Sequence, residues 1–311
     1  MKVRLGYVAS PLIIDESYSK NMTYKKYKSL GIKKGNERIN EIILENMEGL
    51  RKVVLYNKQN DISYYRLSHH FIPFSTFDKV HFSYKRKYKN NLHEFGTFFK
   101  ENHIRIEMHT DPYCIINSIS DSIVLKSIDM LKYHEYLYSS FDYDGDIILH
   151  IGSSYPNKEE AIQRFINNFK CIPQKIQQKI ILENDDTTYT VDDILYVCNI
   201  LNIRMVLDYH HFLCLKGKNI QKYLPDIFHT WKGKVPTIHY SSPKNKKEFR
   251  THHMYIDYKK FIKFIDILKE FNQDVDIILE CKGKDEALFR LIKQLKFYTN
   301  YTFIDETTFV V

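Results

Sequence analysis

The chain has 311 residues, 43% hydrophobic and 14% aromatic, and 46 Lys and Arg against 38 Asp and Glu give a formal net charge of +8. That apolar and aromatic content excludes a disordered chain, and 10 Gly with 8 Pro exclude a collagen-like or other fibrous one. The length admits two ordinary domains or one α/β barrel, with a core large enough to surround a deep site.

Eight short β-branched runs follow one another along the chain: Val3–Val8, Ile62–Leu67, His103–Met108, Asp146–Ile151, Lys179–Glu183, Arg204–Asp208, Val235–His239 and Val275–Glu280. Segments with helical spacing lie between them, such as Ile39, Ile42, Ile43, Met47 and Leu50, then Ile123, Ile128, Leu131 and Leu137, and later Phe261, Phe264, Ile265 and Leu268. Runs that are almost wholly apolar are buried on both faces, as in parallel sheets. Eight β–α alternations predict an α/β fold, a single (β/α)8 TIM barrel spanning 1–311 as one domain. The alternative, a doubly wound open sheet, calls for a glycine-rich phosphate loop after the first strand. Gly6-Tyr7-Val8-Ala9-Ser10-Pro11 lacks those glycines.

Five cysteines, Cys114, Cys171, Cys198, Cys214 and Cys281, form no C-x-x-C pair and are odd in number. They read as reduced thiols in core or loops, and Cys281 should point away from its neighbour Glu280. No signal-peptide pattern opens the chain and no run nears the roughly 20 apolar residues that span a bilayer, so a soluble, cytoplasmic protein without a membrane partner is expected. The positive balance permits a polyanionic partner. Tyr84-Lys85-Arg86-Lys87-Tyr88-Lys89 interleaves bases with aromatics in the manner of a nucleic-acid surface, and equally of a solvated loop; Lys244, Lys246 and Lys247 carry the same two readings.

Polar residues close the runs with regularity. His69 and His70 follow the second run, Glu107 and His109 close the third, His150 the fourth, and Glu183 with Asn184-Asp185-Asp186 the fifth. Asp208, His210 and His211 end the sixth, His239 the seventh with His252 and His253 beyond it, and Glu280 the eighth. Singly, each has a structural explanation, and Asp208 or Glu183 could cap the following helix. Jointly they converge, because the C-terminal ends of barrel strands share one face, where the active site sits. Carboxylates buried together repel unless cations offset them, and mixed His/carboxylate sets suit Zn²⁺, Mn²⁺ or Fe²⁺. A metal site at that face is the reading.

The chain resembles the UV damage endonuclease family, barrels related to endonuclease IV and the xylose isomerase-like superfamily. The resemblance runs from Leu5-Gly6-Tyr7 to about Ala287. It is carried by Tyr65-Arg66-Leu67-Ser68 with Ile72-Pro73, Leu149-His150-Ile151-Gly152, Arg164-Phe165, Leu182-Glu183-Asn184-Asp185-Asp186, Asp208-Tyr209-His210-His211, Ile238-His239-Tyr240-Ser241 and Ile277 to Lys282. The Leu-Glu-Asn-Asp-Asp stretch with Asp-x-His-His beyond it is the most specific element.

The resemblance implies a metal-dependent endodeoxyribonuclease for DNA repair, nicking 5′ of UV photoproducts. It implies two or three divalent ions, Mn²⁺ first and Zn²⁺ as the alternative, on His109, His150, Glu183, Asp208, His211, His239, His252 and Glu280. Glu183, Glu280 and Asp208 would carry the chemistry, and Tyr7 and Tyr113 would contact the lesion. The partner implied is damaged double-stranded DNA, bound by a monomer. Three places depart from the family pattern: Phe77 stands where it has a His, Thr237 where it has a Lys, and Pro112 where it has a Gln. A sugar isomerase or epimerase on the same barrel, and a lesion-binding protein with weakened catalysis, are the rival readings.

Overall fold

The computed structural model describes residues 1–311. In chain order the elements are β1 (Lys2–Val8), α1 (Tyr24–Gln59), β2 (Tyr64–Arg66), α2 (Lys89–Glu101), β3 (Arg105–His109), α3 (Asp121–Phe141), β4 (Asp146–Leu149), α4 (Lys158–Phe169), α5 (Gln174–Gln177), β5 (Ile180–Glu183) and α6 (Val191–Leu201). They continue as β6 (Arg204–Asp208), α7 (Tyr209–Cys214), α8 (Leu224–Thr230), β7 (Thr237–Tyr240), α9 (Tyr258–Lys269), β8 (Val275–Leu279), α10 (Lys284–Tyr298), β9 (Thr302–Phe303) and β10 (Thr308–Val310). Strands β1 to β8 pair in parallel in sequence order, and β1 pairs with both β8 and β2, so the sheet closes. This is the expected TIM barrel, and all eight predicted runs are its strands. The predicted apolar faces of α1 and α9 are buried, whereas Ile123 of α3 is exposed. No helix is long and apolar enough to cross a membrane.

The barrel interior is layered by strand alternation. Its floor, at the N-terminal ends of the strands, is ionic. Arg4 and Arg105 both grip Asp276, at 2.8 and 2.6 Å. Asp146 is shared by Arg105 at 3.1 Å and Arg204 at 2.7 Å. The Trp231 ring lies between the Arg105 and Arg204 guanidinium groups, 5.5 and 5.2 Å from its centroid. Its Nε1–H donates to the Met205 carbonyl at 2.7 Å. Ile148, Ile181 and Val206 pack against Trp231 as an apolar middle. Gly6 belongs to this level for a steric reason: a Cβ there would sit 2.3 Å from the Tyr64 carbonyl oxygen.

A C-terminal hairpin, absent from the sequence reading, completes the barrel wall. β1 meets β2 only at Tyr7 and Val8. Below that point β10 runs antiparallel to Lys2–Arg4 and β9 runs beside β10. Phe309 anchors the hairpin in the core, stacked on Tyr301 at 5.1 Å.

The ionic floor yields a stability prediction. Asp276→Ala leaves Arg4 and Arg105 buried without their shared carboxylate, and should cost about 3–5 kcal/mol in urea unfolding. Asp144→Ala, at a carboxylate 80% exposed in its pair with Lys179, should change stability by less than about 0.5 kcal/mol.

Candidate metal centre

The inward-facing residues one level above the apolar middle are the predicted His and carboxylate set. Glu183 ends β5 at the centre of the bowl, almost wholly buried. Its two oxygens face different neighbours. Oε2 lies 3.0 Å from His109 Nε2 and 3.6 Å from His150 Nε2. Oε1 lies 2.9 Å from His239 Nδ1, which is 3.3 Å from Glu280 Oε1. Two candidate donor groups result, one of His109, His150 and Glu183, the other of Glu183, Asp208, His239 and Glu280. They share Glu183.

Local backbone chemistry sets this geometry. Asn184 donates its amide N–H to the Asp208 carbonyl and accepts from the Asp208 N–H, both at 2.9 Å, which ties the ends of β5 and β6 side by side. Asp208 does cap α7, accepting the His211 N–H at 2.7 Å with Oδ1. Its Oδ2 has no hydrogen-bond partner although buried, so the cap uses only half of the carboxylate. The imidazoles are oriented from behind. His109 Nδ1 lies 2.7 Å from the Thr110 carbonyl, His150 Nδ1 3.2 Å from that of Glu183, and His211 Nδ1 2.9 Å from that of Asn184. A carbonyl only accepts, so each Nδ1 carries a proton and Nε2 is the nitrogen left to take a metal, as in metal-binding histidines.

The electrostatics of the bowl are those of crowded carboxylates. Burial alone would raise Glu183, but His239, His150 and His109 hold it well below the usual carboxylate range. Burial raises Asp208 to about 6, with Glu280 and Glu183 adding to the effect. Burial opposes the charge on His211 and His239, yet the surrounding carboxylates raise them to about 9 and about 10. Burial also works against Glu107, which Arg66 and His239 bring down to about 2. The orphaned Asp208 Oδ2 and His239 Nδ1, inside a set of N and O donors, fit a divalent first-row ion in place of those protons.

Six of the eight predicted ligands fall in the two groups: His109, His150, Glu183, Asp208, His239 and Glu280. His211 stands next to them, 3.5 Å from Glu183 Oε1 and 3.7 Å from Asp208 Oδ2 through Nδ1. His252 lies farther out, its ring centroid 6.4 Å from that of His211. Tyr113 is 81% exposed on the loop after β3. Tyr7 is a correction. It was expected at the lesion, but it is fully buried on the helix side of β1, donating its hydroxyl to Asn57 Oδ1 at 2.7 Å. Tyr84 and Tyr88 are buried as well, so the basic-aromatic stretch faces its rings inward. Burial raises the Cys281 thiol to about 12, as suits a core residue.

Sequence reasoning passed over Arg66. Its guanidinium reaches into the bowl from β2, bonding Glu107 at 2.7 Å and Glu280 at 2.5 Å and packing on His239 Nε2. The signal was the alternation of Tyr64-Tyr65-Arg66, with Tyr64 and Arg66 on the inner face. Tyr64 itself donates to Glu107 and meets Thr237 Oγ1 at 2.7 Å.

With this geometry established, likeness to known proteins adds identity. A family model described as UV-endonuclease UvdE matches residues 3–308. A UV DNA damage endonuclease of Bacillus cereus strain B4264 is 36% identical over 301 residues, covering 95% of each chain. The crystal structure of SacUVDE superposes with a TM-score of 0.86 at 31% identity, covering 95% of this chain and 98% of that one. Endonuclease IV from Thermus thermophilus, at 11% identity and a TM-score of 0.56 over 94% of this chain and 99% of its own, shares the fold. The mouth of the barrel and these relatives agree, and the chain belongs to the UvdE family of UV-endonucleases.

Proposed function

We propose that this chain is a metal-dependent DNA-repair endonuclease that hydrolyses the phosphodiester 5′ of UV photoproducts and related lesions in duplex DNA, leaving a 3′-hydroxyl and a 5′-phosphate. The observation that carries the reading is Glu183, whose two carboxylate oxygens face two donor groups at the barrel mouth. In this reading His109, His150, Glu183, Asp208, His211, His239, His252 and Glu280 hold two or three divalent ions, Mn²⁺ first and Zn²⁺ as the alternative. Such ions supply Lewis-acid stabilisation of a phosphate oxygen and a bound water of lowered pKa.

The protein's own groups have separate tasks. Glu183, buried and ionised, serves both donor groups at once. Asp208 and Glu280 make the second group the more acidic of the two. Arg66 is occupied by Glu107 and Glu280, so it orients Glu280 and does not clamp the substrate. Exposed lysines on the loops after β6, β7 and β8, namely Lys216, Lys218, Lys244, Lys246, Lys247 and Lys282, flank the mouth. They suit the phosphates of a duplex on a monomeric enzyme, and they disfavour a sugar isomerase, which would have a small closed pocket without a basic rim. A damaged base leaves the stack at lower cost than a sound one, and the exposed Tyr113 is placed to stack where it was.

Three measurements test this. Glu183→Gln keeps the shape and removes the shared charge, so nicking of UV-irradiated plasmid with Mn²⁺ should fall by at least about 10²-fold, with metal content falling too. Near-normal nicking would end the metal reading. Tyr113→Ala should weaken binding to damaged duplex by about 5- to 150-fold, the equivalent of losing about 1–3 kcal/mol of stacking. Undamaged duplex, held by its phosphates, should be affected much less; equal losses on both would make Tyr113 a packing residue. The third concerns pH. Without an ion, His211 and His239 keep their protons to about 9 and about 10, and a metal must displace them. Calorimetric titration of chelator-treated protein should therefore show proton release, and affinity rising from about pH 6 to about pH 8. Affinity that is flat or falls over that range would remove these imidazoles from the ligand set.

A further inference from the structure

A third cluster of metal-ligating side chains lies outside the bowl. His69 and His70 come from the loop after β2, and Asp111 from the loop after β3. One ligand atom from each lies within 4.8 Å of the others. His69 Nε2 is 3.3 Å from Asp111 Oδ2, and His70 Nε2 is 3.1 Å from Asp111 Oδ1. From this arrangement we infer that His69, His70 and Asp111 form an additional binding site for a divalent first-row metal ion.

Spacing is the first argument. Donors about 2.0–2.2 Å from a common ion stand about 3.0–3.5 Å from one another in octahedral or tetrahedral arrangements, and both His–Asp separations fall in that interval. Orientation is the second. His69 and His70 address different oxygens of Asp111, Oδ2 and Oδ1, so the carboxylate lies between the two imidazoles. Support from behind is the third. The His69 carbonyl accepts the Tyr133 hydroxyl at 2.9 Å, and the Ser68 N–H donates to the Tyr18 hydroxyl at 3.0 Å, which fixes the backbone carrying both histidines.

A fourth observation is independent of these. The cluster opens on a cavity of about 120 Å³ that is also lined by His134 of α3. His134 is buried, its ring centroid 4.4 Å from that of His69, and its Nε2 has no hydrogen-bond partner. A buried, unpartnered imidazole nitrogen beside two further imidazoles and a carboxylate is costly in a merely structural pocket. Around an ion-binding cluster it is a reserve donor for the ion or its water. His69 is 8% exposed, whereas the His70 side chain is 49% exposed, so an ion here has a solvent path. Two histidines and one carboxylate leave coordination positions open. A cleft lined by Arg66, His69, His70, His109 and Asp111 joins this cluster to the bowl. An ion held here would present those positions to a phosphate oxygen of a strand lying across the mouth; that use rests on the proposed function, while the metal binding does not.

The test counts metal. Full-length protein is stripped with chelator, reloaded with Zn²⁺, passed through gel filtration and assayed for bound zinc by mass spectrometry. Asp111→Asn and His70→Gln should each hold one equivalent fewer than wild type, with unchanged far-ultraviolet circular dichroism. Glu183→Gln should lose zinc from the bowl and keep this equivalent. Because His70 is half exposed, His70→Gln gives the answer even where Asp111→Asn fails to fold. Wild-type stoichiometry in His70→Gln would overturn the site and leave the triad as a hydrogen-bonded loop clasp. Full stoichiometry in Glu183→Gln together with a lost equivalent in His70→Gln would instead sink the bowl reading and leave this site standing.

Discussion

The structure depends on the burial of Glu183 among other carboxylates. A charge at that depth, with Asp208, Glu280 and Glu107 around it, is tolerable only where cations reach it. The neighbouring elements supply them: Arg66 from β2, His239 from β7 and His211 from the first turn of α7. The Asn184–Asp208 amide exchange holds two of the acids at a fixed separation that their repulsion would otherwise widen. The mouth is thus a set of crowded charges, and its rigidity comes from the backbone behind it.

The same fold buries charge twice, with opposite outcomes. At the floor, three arginines and two aspartates satisfy one another and leave nothing for a ligand. At the mouth, Asp208 Oδ2 and His239 Nδ1 are left without hydrogen-bond partners. Trp231 and the Ile148, Ile181 and Val206 layer separate the two levels.

The barrel and most of the bowl were legible in the chain, for a simple reason. Parallel strands buried on both faces read as apolar runs, and their C-terminal ends gather the histidines and carboxylates. Glu183, Asp208, His239 and Glu280 stood out at those ends. The rest was hidden by phase. In Leu5-Gly6-Tyr7 both faces are apolar or small, so alternation could not say that Tyr7 turns toward α1 and Asn57. Arg66 gave no sign of its role because its partners, Glu107 and Glu280, are far away in sequence. The His69, His70 and Asp111 grouping depends on how two irregular loops meet, which no periodicity encodes. Phe77, at a departure from the family pattern, packs its ring on Tyr24 and Phe74. At Thr237 the side chain is closed off by the Tyr64 hydroxyl, so no amine enters the bowl from that position.

The C-terminal hairpin has a consequence for how the molecule is made. Met1 and Val311 exchange backbone hydrogen bonds, and Lys2–Arg4 find their lower neighbour only in Thr308–Val310. β1 therefore waits for β10, and its other long-range partner, β8, pairs Asp276 with Arg4 across 272 positions of chain. Until β8 and β10 are made, the nascent chain is an open sheet in which β1 pairs only with β2, at Tyr7 and Val8, and loop closure of this span is entropically slow to find. The joined ends also lie beside the floor, opposite the mouth, so chain added at either terminus would emerge on the side away from the bowl.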